Sequence, residues 1–198
     1  MLCIISTIAP GQFKDVGIKG GAAFSLLNVE NARNESHRNG FHIGIYTVYQ
    51  LYKKVNLESG IFYYGKGATF ETRDRFRQRV LNKANVDYIG LPVRAKYKLF
   101  KYFELRAGIY VNYLSSVNFT RETDSSVNFS PIDRDNFNNL DIGYIMGISF
   151  QFDALTLTYE YDNSFSDQFR GESGSRVLGQ IKNSSSQIAI GFNFLKNK

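Results

Sequence analysis

The sequence predicts an all-β protein, an eight-stranded antiparallel up-and-down transmembrane β-barrel. Three observations lead to this fold class. Strict alternation of apolar and polar residues recurs along the chain, aromatic residues are abundant, and short connections alternate with long ones. The length of 198 residues fits one domain.

The clearest strand covers residues 103–113, with the sequence FELRAGIYVNY. Its odd positions are apolar, and its even positions are charged, polar, glycine or tyrosine. A helix would mix these two sets around its circumference, whereas a strand places them on opposite faces. The same pattern predicts further strands at residues 41–51, 89–99, 140–152, 155–162 and 187–194, and weaker ones at 16–26 and 55–67.

The connections between these strands alternate in length. Short turns are expected near residues 52–54, 100–102 and 153–154, and long polar loops at residues 27–38, 68–85, 115–138 and 163–184. Outer-membrane barrels have short periplasmic turns and long extracellular loops. We therefore expect three periplasmic turns and four long extracellular loops.

The apolar face is predicted to point outward, toward lipid. Each strand offers five to seven apolar positions, which suits the roughly 9–11 residues that cross a bilayer as a tilted strand. Tyr 13 and Phe 17 are high counts for a polar chain, and many of these aromatics lie near strand ends, as in interfacial girdles. The polar face combines charges with glycines, which suits a narrow interior filled by side chains. A soluble barrel with reversed faces is the alternative. The bacterial outer membrane is the expected location, and its lipid the expected surroundings.

The first twelve residues, MLCIISTIAPGQ, form a short apolar run. They are interpreted as the remnant of a signal peptide, or else as a disordered N-terminal tail, so residues 13–198 are expected to form the single barrel domain. Cys3 is the only cysteine, which rules out an internal disulfide.

Charged residues on the polar face are expected to meet inside the barrel. The predicted set is Glu58, Arg94, Lys96, Glu104 and Arg106. Lys19, Glu160 and Asp162 are expected nearby. Buried charges are tolerated only when they are paired, so we interpret the set as a structural ion-pair network in which Glu104 is the partner of Arg94 or Arg106. A narrow ion path or a small-ligand site is the alternative.

Two of the long loops are candidate binding surfaces. One carries five basic residues, Arg73, Arg75, Arg77, Arg79 and Lys83. If these face outward, they are suited to bind lipopolysaccharide phosphates through charge-assisted hydrogen bonds. The loop at residues 115–138 is rich in Ser, Asn, Thr and Asp, and is a candidate site for a protein partner.

Catalytic chemistry is not indicated. The only histidines, His37 and His42, do not make a metal site, and neither a phosphate-binding glycine motif nor a serine nucleophile elbow is present. We expect no enzyme activity, no cofactor and no bound metal. The net charge of +6 has no accompanying nucleic-acid module, so nucleic acid is not an expected partner. A monomer is expected.

Several segments resemble the PorT-like outer-membrane β-barrel family of Bacteroidetes. They are GIKGGAAFS at residues 17–25, GFHIG at 40–44, LESGIFYYGKG at 57–67 and YIGLPVRAKY at 88–97. The resemblance implies a small outer-membrane barrel, and PorT itself is associated with protein secretion. Glu160 departs from the basic residue expected before Tyr161, and the chain continues past Phe194.

Three functions remain open from the sequence. The first is a non-enzymatic barrel that presents loops for envelope or partner interaction, with assistance of protein secretion as one form. The second is a narrow channel or small-molecule transporter, and the third, less favoured, is a membrane-embedded hydrolase. The last strand alternates and ends on aromatics, a pattern that outer-membrane assembly machinery is expected to recognise.

Overall fold

A computed structural model describes residues 13–29, 35–36, 38–73, 79–123, 126–129, 138–165 and 181–196. Residues 1–12, the expected signal remnant or tail, lie outside this part. The strands are β1 (Phe13–Val29), β2 (Glu35–Ser36), β3 (Arg38–Tyr52), β4 (Val55–Arg73), β5 (Arg79–Lys98), β6 (Phe103–Thr123), β7 (Ser126–Phe129), β8 (Leu140–Phe152), β9 (Leu155–Ser164) and β10 (Ile181–Lys196).

Eight of these strands close into an antiparallel barrel. Each barrel strand pairs with the next one along the chain, and β1 closes the circle by pairing with β10 from Asp15↔Lys196 to Val29↔Ile181. The short strands β2 and β7 pair with β4 and β6 at the loop end and lie outside the circle. The predicted eight-stranded fold is confirmed.

The predicted short turns are also observed. Residues 53–54 join β3 to β4, residues 99–102 join β5 to β6, and residues 153–154 join β8 to β9. Asp153 adopts a positive φ of 50°, a left-handed conformation that aspartate accepts more readily than most side chains.

The strands extend further than the sequence predicted. Residues 68–73 and 79–85 were expected in a long loop, yet they continue the ladder from Ala68↔Ala84 to Arg73↔Arg79. Strand β6 likewise runs on to Thr123. Hydrogen bonding between two strands requires only their backbones. The strands can therefore continue beyond the lipid, where the outer side chains need not be apolar. The sequence pattern detects the lipid-facing part of each strand and misses its extension.

The period-two pattern places the two faces as predicted. Large apolar side chains cover the outside, among them Ile18, Phe41, Ile43, Ile45, Leu91, Ile109, Leu157 and Ile190, all of them exposed. Such a continuous apolar surface marks contact with a membrane or a partner. The polar side chains point inward and are buried. Among the described residues, no helix is long and apolar enough to cross a membrane.

Aromatic contacts mark two belts on the outer surface. Near the turn end, Phe103 packs edge-on against Phe150 with ring centroids 5.1 Å apart. Near the loop end, Phe41 lies 5.5 Å from Tyr63. Along β6, ten residues separate Phe103 from Tyr113, about 33 Å of strand, or roughly 25 Å of height at a tilt near 40°. That height matches the apolar band of outer-membrane barrels.

Candidate functional site in the barrel lumen

The register of β4, β5 and β6 brings the predicted charges together. Glu58 lies opposite Arg94 on β5, and Lys96 lies opposite Arg106 on β6. Inward-facing residues that are paired across strands have Cβ atoms about 4.5–5.5 Å apart, close enough for direct contact. Glu58, Arg94, Lys96, Glu104 and Arg106 are all buried.

Glu58 is the centre of this network. Its Oε1 accepts hydrogen bonds from Lys19 Nζ at 2.6 Å, from Arg94 Nη1 at 3.4 Å and from Arg106 Nη2. Lys96 Nζ lies 3.7 Å from the other oxygen, Oε2. One carboxylate therefore serves four cations from three strands, β1, β5 and β6.

Glu160 is the second anion shared by the two arginines. Arg106 Nε donates to its Oε1 at 2.8 Å. Arg94 Nε lies 3.0 Å from the same oxygen but has no hydrogen-bond partner, so this contact is an ion pair in which the N–H is not directed at the oxygen. Lys19, Glu160 and Asp162, expected nearby from the sequence, all lie in the lumen and are buried.

The partner expected for Glu104 was wrong. Glu104 Oε2 lies 3.1 Å from Lys96 Nζ and accepts a hydrogen bond from Ser149 Oγ at 3.2 Å. Arg94 and Arg106 instead bind Glu58 and Glu160. The register explains the difference, since Glu104 lies opposite Lys98 on β5 and Ser149 on β8, below the level of the arginines.

The loop-side half of the lumen contains a second, separate set of contacts. Lys66 Nζ pairs with Asp162 Oδ2, and Gln187 Nε2 donates to Asp162 Oδ1 at 2.9 Å. Asp141 lies 3.4 Å from Asn112 Nδ2. Sequence reasoning missed Lys66, although its position eight residues after Glu58 gives it the same inward parity. Its flanking glycines, which interrupt the apolar alternation, concealed that signal.

Tyrosine rings fill the space beside these charges. Lys66 Nζ lies 5.2 Å from the centroid of the Tyr110 ring and 5.6 Å from that of Tyr64. Two glycines admit the rings, because a Cβ at Gly143 would lie 2.5 Å from the Tyr110 hydroxyl and one at Gly90 would lie 2.7 Å from the Tyr64 ring. These two glycines therefore make room for large neighbouring side chains.

Several buried polar atoms near the loop end of the wall formed by β1, β3 and β10 have no hydrogen-bond partner. They are Ser25 Oγ, His42 Nδ1, Asn183 Oδ1, Ser185 Oγ and Gln187 Oε1. Ser25 and Ser185 lie opposite each other in the register of β1 and β10. Buried polar atoms without protein partners are usually satisfied by water, which points to a hydrated space on this side.

The candidate basic loop falls partly outside the described residues. Arg73 and Arg79 are register partners at the ends of β4 and β5, and Lys83 lies within β5. Arg75 and Arg77 are not described, nor is His37. His42 is buried against Tyr64, with ring centroids 5.8 Å apart. Over the described ranges, no cluster of three or more His, Cys, Asp or Glu side chains is arranged to hold a metal ion.

The fold and the filled lumen define a small transmembrane β-barrel of the bacterial outer membrane. Residues 12–170 match the family described as the outer membrane protein beta-barrel domain, and the chain belongs to this family. No curated protein matches the sequence.

Solved structures show the same fold at low identity. Ail, the attachment invasion locus protein of Yersinia pestis, aligns with a TM-score of 0.51 and 12% identity, covering 91% of this chain and 99% of that one. Neisserial surface protein A aligns with a TM-score of 0.53 and 10% identity, covering 90% and 97%. Another structure contains Ail in complex with the heparin analogue sucrose octasulfate, at a TM-score of 0.50 and 11% identity, covering 91% and 99%.

Proposed function

We propose that this protein is a non-enzymatic outer-membrane barrel whose loop end is its binding surface. The observation that carries the proposal is the ion-pair network around Glu58, which occupies the turn-side half of the lumen with buried side chains. Lipid covers the outside of the wall. The surface left for a partner is the end where strands and loops leave the membrane, and binding usually resides in loops on a rigid scaffold.

The hairpin of β4 and β5, which extends beyond the apolar band, supports this proposal. Strand β4 continues from the belt residue Tyr63 to Arg73, about 33 Å of strand and roughly 25 Å of height. Its hairpin with β5 therefore reaches well above the apolar band. In the assigned orientation, with short turns in the periplasm, this hairpin stands in the extracellular sugar and phosphate layer.

The chemistry of the hairpin tip favours an anionic partner. Arg73 and Arg79 are backbone register partners, so the sequence brings two arginines to the same level of this hairpin. Together with Arg75, Arg77 and Lys83 they are suited to lipopolysaccharide phosphates, because guanidinium groups form paired, charge-assisted hydrogen bonds with phosphate. Ail, which shares the fold, has been captured with a polyanion, the heparin analogue sucrose octasulfate.

The test is a hairpin trim designed on the register. Residues 67–85 are replaced by Asn-Gly between Lys66 and Val86, which are register partners that a tight turn can join. We expect a folded, heat-modifiable barrel that no longer retains lipopolysaccharide on a column.

The matched control trims the neighbouring connection. Residues 115–138 are replaced by Asn-Gly between Leu114 and Asn139, whose backbone N and O atoms are 2.8 Å apart. This variant should retain lipopolysaccharide like the full chain, whereas dephosphorylated lipopolysaccharide should bind to neither. Equal retention by both trimmed barrels would place the binding surface elsewhere.

Two further roles belong to the same proposal. The first is binding of a protein partner at residues 115–138, in secretion or in another envelope process. The resemblance to PorT implies a role in secretion, although the matched family is broader than PorT. Recognition of β10 by the assembly machinery is supported by its alternating Ile188, Ile190, Phe192 and Phe194, which all face outward.

A narrow channel is the second candidate, favoured by the unpartnered polar atoms near Ser25 and Ser185. The network around Glu58 argues against conduction through the turn-side half. Planar-bilayer recording distinguishes the two candidates. We expect no steady conductance from the full chain, and a steady conductance would favour the channel.

A further inference from the structure

The outer face of the β4–β5 hairpin changes its charge with height above the membrane. At the aromatic belt, Ile89 on β5 is the register partner of Tyr63 on β4 and of Tyr113 on β6. Ile89 and Tyr113 are exposed on the outer surface. Because side chains alternate between the two faces of a strand, every second position above this row belongs to the same outer face. The register therefore defines a series of outer-face rows that rise from the belt.

The first outer-face row above the belt contains an acidic residue. Asp87 is the register partner of Gly65 on β4 and of Ser116 on β6. Asp87 is partly exposed, and a Cβ added at Gly65 would lie 3.7 Å from its Oδ1. The carboxylate therefore lies on the outer wall, just above the level at which aromatic belts meet lipid headgroups. A negative charge in this place disfavours lipid phosphates.

Two further acidic positions lie higher on the same face. Glu71 on β4 and Glu122 on β6 are both register partners of Leu81 on β5, six residues above Asp87 along that strand. Lys83 lies between this row and Asp87. The part of the hairpin nearest the membrane thus has no surplus of basic positions on its outer face.

Arginine positions occur at the top of this part of the hairpin. Arg73 and Arg79 are register partners two positions beyond Glu71 and Leu81. The eight residues from Asp87 to Arg79 correspond to about 27 Å of strand, or roughly 20 Å of height at a tilt near 40°. An extended arginine side chain reaches only about 7 Å from its Cα. The two arginines therefore cannot contact a phosphate at the level of Asp87.

From this arrangement we infer that Arg73 and Arg79 bind a phosphorylated sugar of the lipopolysaccharide core, and that Asp87 keeps the lipid A phosphates out of the site. The inference rests on the proposed binding of lipopolysaccharide at the loop end, and it specifies which phosphates are bound. Lipid A carries its phosphates at the membrane surface, whereas the core sugars project beyond it. Guanidinium groups suit such a ligand, since they bind phosphate through two parallel hydrogen bonds.

The experiment compares three ligands on the full chain in phosphatidylcholine nanodiscs. They are bisphosphorylated lipid A, the core oligosaccharide released from lipid A, and complete lipopolysaccharide of the same strain. We expect retention of complete lipopolysaccharide and of the released core, but not of lipid A alone. Retention should weaken as salt is raised and should disappear when the core is dephosphorylated.

Point variants assign the binding to the two arginines. Replacing Arg73 and Arg79 together by glutamine should lower the affinity for the released core by up to about fivefold per arginine. Replacing both by lysine keeps the charge and should preserve most of the affinity. A heat-modifiable band confirms folding, and if the double glutamine variant does not fold, Arg79→Gln alone is measured.

A matched control lies on the opposite side of the barrel. Lys182 has the outer-face parity of the exposed Ile188 on β10, which is four strands from β5 in either direction around the circle. Lys182→Gln removes one positive charge from the chain and should leave retention of the core unchanged. Asp87→Lys should instead give the barrel retention of lipid A, because it places a cation just above the lipid surface.

The possible outcomes separate this inference from the proposed function. If lipid A alone is retained as strongly as complete lipopolysaccharide, the inference is wrong and the loop-end proposal stands. If the folded chain retains no form of lipopolysaccharide, the loop-end proposal itself is wrong. Loss of core retention in Lys182→Gln as large as in the arginine variant, or an Asp87→Lys barrel that still does not retain lipid A, would also contradict the inference.

Discussion

The two halves of the lumen hold their buried charges in different ways. In the turn-side half, four cations share three carboxylates, and Glu58 alone contacts Lys19, Arg94 and Arg106. In the loop-side half, Lys66 and Asp162 form one pair, while tyrosines fill the remaining space on one wall and unpartnered polar atoms line the other. The first arrangement fills the lumen with a shared ion-pair network, and the second combines one ion pair with aromatic and neutral polar side chains.

This difference determines what a single substitution should do. Removing a shared carboxylate leaves several buried cations without an anion, and desolvated charges are costly without partners. Removing Asp162 takes one carboxylate from Lys66, which still lies beside the Tyr64 and Tyr110 rings. We therefore expect the largest cost for the carboxylate that serves the most cations, and the smallest for a polar group without a protein partner.

The largest effect is expected for Glu58→Gln. Loss of this negative charge should lower the free energy of unfolding by about 3–5 kcal/mol, since four buried cations lose the anion that they share. Urea unfolding in lipid vesicles, followed by circular dichroism and by the heat-modifiable gel shift, measures it. The location in the membrane should not change.

Glu104→Gln is the matched comparison for that variant. Glu104 contacts Lys96 and Ser149. In the variant, Lys96 still has a second carboxylate nearby, because its Nζ lies 3.7 Å from Glu58 Oε2. We expect a loss of about 1–2 kcal/mol. A loss as large as that of Glu58→Gln would mean that the two carboxylates act as one unit and that Glu58 has no special place.

An intermediate effect is expected for Asp162→Asn in the loop-side half. Lys66 loses its carboxylate but remains beside the Tyr64 and Tyr110 rings. We expect a loss of about 1–3 kcal/mol in the same urea experiment. A cost equal to that of Glu58→Gln would show that this half is as dry as the other, and the proposed contrast would fail.

The smallest effect is expected for Ser185→Ala. Its Oγ is buried and has no protein partner, so removing it leaves no protein group unpaired. The free energy of unfolding should change by less than about 0.5 kcal/mol. A loss above about 1 kcal/mol would reveal a tightly bound water or an ordered contact at this hydroxyl.

The faces of the barrel were predictable from sequence, but the partners inside it were not. Period-two alternation alone assigns Glu58, Arg94 and Arg106 to the lumen, because a strand alternates its side chains whatever it pairs with. Which carboxylate meets which cation depends on the stagger between strands, and alternation contains no information on stagger. For that reason Glu104 was assigned to an arginine, whereas the register pairs it with Lys96.

The ends of the strands were likewise predictable in some places and not in others. The turns at residues 53–54 and 153–154 were predictable, since the alternation stops on both sides of them. The upper parts of β4 and β5 were not predictable, because they extend beyond the lipid and have no apolar outer face there. The apolar alternation of β4 ends near Gly67. Lys66 was overlooked at this boundary. Arg73, Arg79 and Lys83 lie in paired strands rather than in a loop.

The pairing of β1 with β10 also bears on how the chain reaches its folded state. Asp15 and Lys196 are register partners although almost the whole chain lies between them. The other barrel strands pair with sequence neighbours, so hairpins form from local contacts, while this seam requires a long loop closure. Until β10 arrives, the wall has two open edges that invite aggregation. Closure of the circle therefore depends on the pairing of β10 with β1, which removes both open edges at once.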